Sequence, residues 1–147
     1  TRLVRWYARL LETSFHQELP MAIALWTLLI AALMPIVCAG IAKVGPGRYD
    51  NRNPRDWQAK QQGYRARAYA AQQNSWEALA VYVAALVAAF IGNVPLETLG
   101  LIAGIFAVSR VAYLVCYLAD LASLRSLVWL VGFGSCICLI VMGAQSI

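Results

Sequence analysis

An all-α fold, a four-helix bundle spanning a membrane, is what this sequence predicts, and three observations predict it. Hydrophobic residues make up 61% of the 147-residue chain and charged residues only 13%, against about a quarter in soluble domains. Four apolar runs are each long enough to cross a hydrocarbon core of roughly 30 Å. Most of the +5 net charge is gathered in one loop between the first two runs. One bundle is the natural count at this length.

The elements follow in order. In the opening segment, residues 1–19, Leu3, Val4, Tyr7, Leu10, Leu11 and Phe15 recur at helical spacing, with Arg2, Arg5, Arg9 and Glu12 mainly elsewhere. This predicts an amphipathic helix lying in the headgroup region, with Trp6 and Tyr7 as anchors; the alternative is an extension of the first span. No cleavable signal peptide is evident, because the first long apolar run begins only after Pro20.

The spanning domain covers 20–147, with helices expected at about 20–44, 65–91, 95–119 and 126–145. Met21 to Ala42 carries no charge. Pro20 suits a helix start, Pro35 predicts a kink, and Gly45-Pro46-Gly47 ends the run. The polar loop 45–66 holds Arg48, Arg52, Arg55, Lys60 and Arg65 against Asp50 and Asp56. Gly92-Asn93-Val94 forms a tight turn before Pro95 opens the third span, and residues 120–125 link it to the fourth. Four crossings put both termini on one side, and the positive-inside rule assigns the arginine-rich loop to the cytoplasm. Gly100 with Gly104, and Ala80 with Ala84 and Ala88, form small-residue faces for close helix packing, within a subunit or between subunits.

Composition also excludes classes. The basic residues lack the aromatic interleaving of a nucleic-acid surface, so they read as topology and lipid contact. Cys38, Cys116, Cys136 and Cys138 sit in apolar runs, and His16 is the single histidine. A metal site has almost nothing to draw on, and the cysteines read as small buried residues.

The polar residues of the later spans share a leaflet. The second span enters from the loop side, so Arg67 to Glu77 lies in its cytoplasmic half. The third runs the other way, so Arg110, Tyr113, Tyr117 and Asp120 come late, and Arg125 and Ser126 open the fourth. Arg67, Ala70, Asn74 and Glu77 fall at steps of three and four, as do Arg110, Tyr113, Tyr117 and Asp120, so each set forms one stripe. Charged side chains facing lipid cost ~3 kcal/mol or more, so Glu77 is expected to turn inward and pair with Arg110 or Arg67.

Three uses fit that cluster: an ion pair that fixes helix register, a polar ligand pocket, and a proton or ion pathway. The pathway is weakest, because the outer halves of the second and third spans offer only Glu97 and Thr98. A pocket would have legible chemistry. Lys43, Arg67, Arg110 and Arg125 would attract carboxylates, Glu77 and Asn74 could hold an amine, and Tyr113 and Tyr117 supply rings and hydroxyls. An arginine at a helix start, as Arg125 is expected to be, can stabilise a thiolate or oxyanion. Ser126 could donate as well, or merely cap the helix.

The segments "NRNPRDW" (51–57), "RAYAAQQNSWE" (67–77) and "RVAYLVCYLADLASLRS" (110–126) resemble the MAPEG family, the membrane-associated proteins in eicosanoid and glutathione metabolism. The family spacing of Arg, Ala, Asn and Glu appears as Arg67, Ala71, Asn74 and Glu77. Its later pattern appears as Arg110, Tyr113, Tyr117, Arg125 and Ser126. The resemblance implies a homotrimer with glutathione as co-substrate at subunit interfaces and no metal. Arg125, with Ser126, would be catalytic, stabilising the thiolate. Asn74, Glu77, Tyr113 and Tyr117, with Arg67, Gln73 and Arg110, would hold the tripeptide, and Lys43 stands where the family often has an arginine.

There are departures. Ala70 and Gln73 occupy positions where eicosanoid-synthesising members carry arginines, and Ala78-Leu79-Ala80-Val81 lacks the usual proline after the glutamate. A divergent member of bacterial type is implied, in an inner membrane with its termini outside. Its expected activity is a glutathione-dependent transferase or peroxidase acting on lipophilic electrophiles or hydroperoxides. The alternative is a non-catalytic subunit or scaffold of a larger membrane complex.

Overall fold

The computed structural model describes the backbone of residues 2–146 and the side chains of residues 18–146. It is a helical bundle of five elements: α1 (Arg2–Lys43), α2 (Pro54–Ala59), α3 (Gly63–Ile91), α4 (Leu96–Leu118) and α5 (Ala122–Gln145). Four segments are long and apolar enough to cross a bilayer: Glu18–Lys43, Gly63–Ile91, Leu96–Leu118 and Ala122–Gln145. The protein is therefore an integral, multi-pass membrane protein. Large apolar side chains such as Trp26, Leu101, Val108 and Leu130 are exposed on the outside of the bundle, as a lipid solvent requires.

Around the bundle, α1 packs against α3 and α4, and α5 packs against the same two helices. The ring order is thus α1, α3, α5, α4, and the sequence neighbours α3 and α4 face each other across a diagonal. They are joined by the turn Gly92–Pro95, where Asn93 takes a φ of 53°. The end of the bundle opposite the polar loop, termed the outer end, is pinned by α3 and α5. A side-chain carbon at Gly92 would fall on the Gly143 backbone, and one at Gly143 would fall on Ala88. Only glycine allows this approach, which brings two backbones into direct contact. Of the alanine face on α3, Ala88 is used in that crossing, while Ala80 and Ala84 stay exposed.

Two apolar clusters fill the interior. The outer one holds Tyr82, Leu99, Phe106, Leu139 and the small residues Ala85 and Ala89. The Tyr82 and Phe106 rings stack with centroids 3.9 Å apart. Thr27 Oγ1 gives its proton to the Ala24 carbonyl at 2.8 Å, so at 2.7 Å it is Tyr82 that donates to Thr27. The inner cluster holds Met34, Cys38, Ala71, Tyr113 and Leu114.

The structure departs from the expected elements at several points. α1 does not begin at Pro20 but runs through both Pro20 and Pro35, and Pro20 packs closely on Gly100 of α4. In lipid a neighbouring helix can cover the backbone groups that proline frees. The interfacial face expected on residues 1–17 lies outside the described side chains. The polar loop contains α2, with Pro54 at its first turn and Asp56 just after, a favourable helix start. α5 begins at Ala122 rather than at residue 126. Cys38, Cys116 and Cys136 are buried as expected, but Cys138 is exposed.

A polar ladder and its cleft

The first turns of α3 close the ends of α1 and α4. Arg65 Nε donates to the Val44 carbonyl at 2.9 Å, and the Tyr64 hydroxyl donates to the same oxygen. Arg67 Nη2 donates to the Leu118 carbonyl at 3.1 Å, while its Nη1 lies 3.6 Å from Asp120 Oδ2. Leu118 ends α4, so Arg67 satisfies a carbonyl that the helix leaves without a partner and places positive charge at the dipole's negative end.

Deeper along α3, Asn74 meets Arg110. Arg110 is 4% exposed, and its Nη2 donates to Asn74 Oδ1 at 2.9 Å. Asn74 Nδ2 then donates to Glu77 Oε2 at 3.2 Å. A guanidinium has only donors and a carboxylate only acceptors, so this amide orientation alone satisfies both neighbours. Glu77 is joined to Arg110 through Asn74 rather than by the direct ion pair expected, and its side chain is exposed. The reason is reach. Arg110 lies across the diagonal, nearer the face that carries Asn74 than the outward position of Glu77.

From Arg110 the contacts continue along α4 and into α5. The guanidinium lies 4.3 Å from the centroid of the buried Tyr113 ring. Tyr113 and Tyr117 meet edge to face at 5.4 Å, and Arg125 covers Tyr117 at 4.4 Å. Glu77, Asn74, Arg110, Tyr113, Tyr117 and Arg125 thus form one unbroken ladder from an anionic end to a cationic end.

The Glu77–Asn74–Arg110 part of the ladder borders a cleft of about 180 Å³ between α3, α4 and α5. Asn74, Glu77 and Arg110 give it a polar wall; Trp129, Phe133 and Cys136 of α5 give it an apolar one. Trp129 and Phe133 stack at 5.1 Å with rings nearly parallel. α3 and α5, in backbone contact at Gly92 and Gly143, both contribute residues to the cleft further along. Such a site can hold a small polar molecule against Asn74 and Glu77 while offering an apolar surface to a second one.

Other candidates sit elsewhere. Lys43 is exposed and lies over the Tyr49 ring at 4.2 Å, beside the polar loop. Gln73 is exposed. Arg125 is the fourth residue of α5, and its backbone N–H already donates to the Leu121 carbonyl at 2.9 Å. Ser126 caps nothing: its hydroxyl donates back to the Ala122 carbonyl at 3.2 Å. The earlier start of α5 accounts for both. The α5 wall of the cleft went unforeseen, although Trp129, Phe133 and Cys136 stand at steps of four and three. An apolar helix without a polar stripe gives no sign of which face turns inward.

No match was found among curated proteins, and none among solved structures. The family model of the MAPEG family matches residues 23–145, a range that takes in most of the first span, the other three spans and the whole ladder. The protein belongs to the MAPEG family of four-helix membrane proteins.

Proposed function

We propose that the protein is a glutathione-dependent transferase or peroxidase of the membrane, acting on lipophilic electrophiles or hydroperoxides as a homotrimer. The observation that carries this reading is the ladder from Glu77 to Arg125, whose Glu77, Asn74 and Arg110 form the polar wall of a cleft with an apolar wall beside it. Glutathione would supply the thiol that attacks the electrophile or reduces the hydroperoxide. Glu77 and Asn74 hold its amine, and Tyr113 and Tyr117 shape the path between them and the cation. Arg125, steered by the Tyr117 ring, stabilises the thiolate. Trp129 and Phe133 receive the apolar partner from the bilayer.

Assembly supports the same reading. An exposed carboxylate at the depth of Glu77 costs ~3 kcal/mol or more against lipid, and a second subunit with a bound amine would cover it. Gln73, exposed one turn before Glu77, would join that interface. The basic loop, with Arg48, Arg52, Arg55 and Lys60 all exposed, favours a cytoplasmic position for the site and outside positions for the termini, as in a bacterial inner membrane.

A second reading has its own observation. Arg67 and Arg110 already hold partners within the chain, and Ala70 adds no cation beside them. This favours a subunit or scaffold that keeps the fold without the chemistry. Titration of the detergent-solubilised protein with glutathione, followed by thermal shift and calorimetry, separates the two. Saturable stabilisation supports the enzyme; no stabilisation at millimolar glutathione overturns it in favour of the scaffold.

A further inference from the structure

On the other side of the α4–α5 seam from the cleft, α4 is recessed between α1 and α5. The groove so formed has a volume of about 770 Å³ and follows α4 from Glu97 to Ala112. At 1.5 Å per residue that is roughly 22 Å of helix, longer than one leaflet's hydrocarbon. Its floor is low at Gly104, where an added side-chain carbon would meet no protein atom, and its walls are Leu19 and Ile23 on one side and Val128 and Val131 on the other. The thin partition between groove and cleft is the contact of Gly132 with Ser109. Ser109 turns its hydroxyl to the Phe106 carbonyl at 2.6 Å, so it offers no proton to the groove.

One charged side chain lines this groove, Glu97 at its outer end. Among the described residues, Glu18 and Glu97 are the charged side chains of that half of the bundle, and both are exposed. An open apolar groove of this length accommodates an extended hydrocarbon chain laid along α4. A carboxylate at its interfacial mouth selects a head of opposite charge.

We propose that the groove binds an amphiphile with a single long alkyl or acyl chain and a cationic amine head, the chain lying along α4 and the amine at Glu97. The site is separate from the Asn74–Arg110 cleft and stands whether or not glutathione binds there.

The test uses the purified protein in neutral detergent, with hexadecylamine and hexadecanol as probes and native mass spectrometry as the readout. The amine is expected to be retained up to about fivefold better than the alcohol, the value of one partly exposed charge pair. Glu97→Gln should make the two probes equal. Gly104→Leu should lose both, because the first added carbon meets no protein atom and the side chain fills the groove. A preference for the amine that survives Glu97→Gln overturns the proposal, as does retention unchanged by Gly104→Leu. A changed oligomeric state in Gly104→Leu would assign the groove to a second copy of the chain and overturn it too.

Discussion

Arg110 and Asn74 are bonded at 2.9 Å across the diagonal of the bundle, joining two helices that are neighbours in sequence but not around the ring. The guanidinium is almost wholly buried, so its charge depends on this acceptor and on the Tyr113 ring.

Asn74→Leu removes the acceptor and leaves a buried cation without it. Losing a hydrogen bond to a charged group costs about 2 kcal/mol, and stranding a buried charge can cost more. We expect a lower unfolding midpoint in a detergent denaturation series. The double variant Asn74→Leu with Arg110→Met should recover part of the loss. Equal midpoints for Asn74→Leu and the parent would show that the bond contributes nothing.

Arg125 makes its ladder contact through one ring, at the end of the ladder away from the cleft, so its removal should spare the fold. Arg125→Ala is expected to lower glutathione-dependent turnover by about 100-fold, the usual scale for losing one stabiliser of developing negative charge. The oligomer and its melting temperature should stay as they were. Steady-state assays beside size-exclusion profiles decide the matter, and full activity in Arg125→Ala would remove it from the chemistry.

Ala70 lies one turn before Asn74 on α3 and is half-buried. If the cleft holds glutathione with too few cations, Ala70→Arg should tighten binding by about tenfold, as one added charge-assisted hydrogen bond would. Calorimetric titration of both proteins measures this. Unchanged affinity would place the tripeptide carboxylates elsewhere.

Tyr82→Phe isolates the hydroxyl bonded to Thr27 while keeping the stack on Phe106. Interhelical hydrogen bonds in membranes average about 0.6 kcal/mol, so a small loss is expected. Tyr82→Ala also empties the outer core and should cost about 3–5 kcal/mol. The two unfolding curves should therefore differ widely.

Asp50 organises the polar loop. Its Oδ1 accepts the Arg52 N–H at 2.8 Å and the Asn53 N–H at 3.3 Å, and the first of these holds the carboxyl below its ordinary value. A lowered native pKa means the contribution is complete above the unfolded value of about 3.9 and is lost as pH falls through the native one. Loop amide exchange, corrected for intrinsic rate, should therefore be flat near neutrality and rise only below about pH 4. Asp50→Asn should abolish that acid-side rise.

The sequence disclosed the ladder better than its surroundings. Asn74, Glu77, Arg110, Tyr113 and Tyr117 were readable because polar residues in an apolar helix stand out and their spacing gives the face. Arg67 was misleading for the opposite reason: one of its partners is the backbone carbonyl of Leu118, which leaves no mark in a sequence. Lys43, grouped with the site by its place at the end of the first span and by the family resemblance, lies over the Tyr49 ring beside the loop. Cys136 and Cys138, two residues apart on α5, fall on the buried and exposed sides, and an apolar helix does not reveal which is which.

The ring order also has a consequence for biosynthesis. α5 leaves the ribosome after the other three spans, yet it seals the flank of Arg110 through Gly132 and provides the apolar wall of the cleft. A nascent chain with three spans inserted would hold a guanidinium beside lipid with one neighbour missing. The insertion machinery must shelter that intermediate until the fourth span arrives, and a message truncated before residue 122 should yield a product marked for rapid degradation.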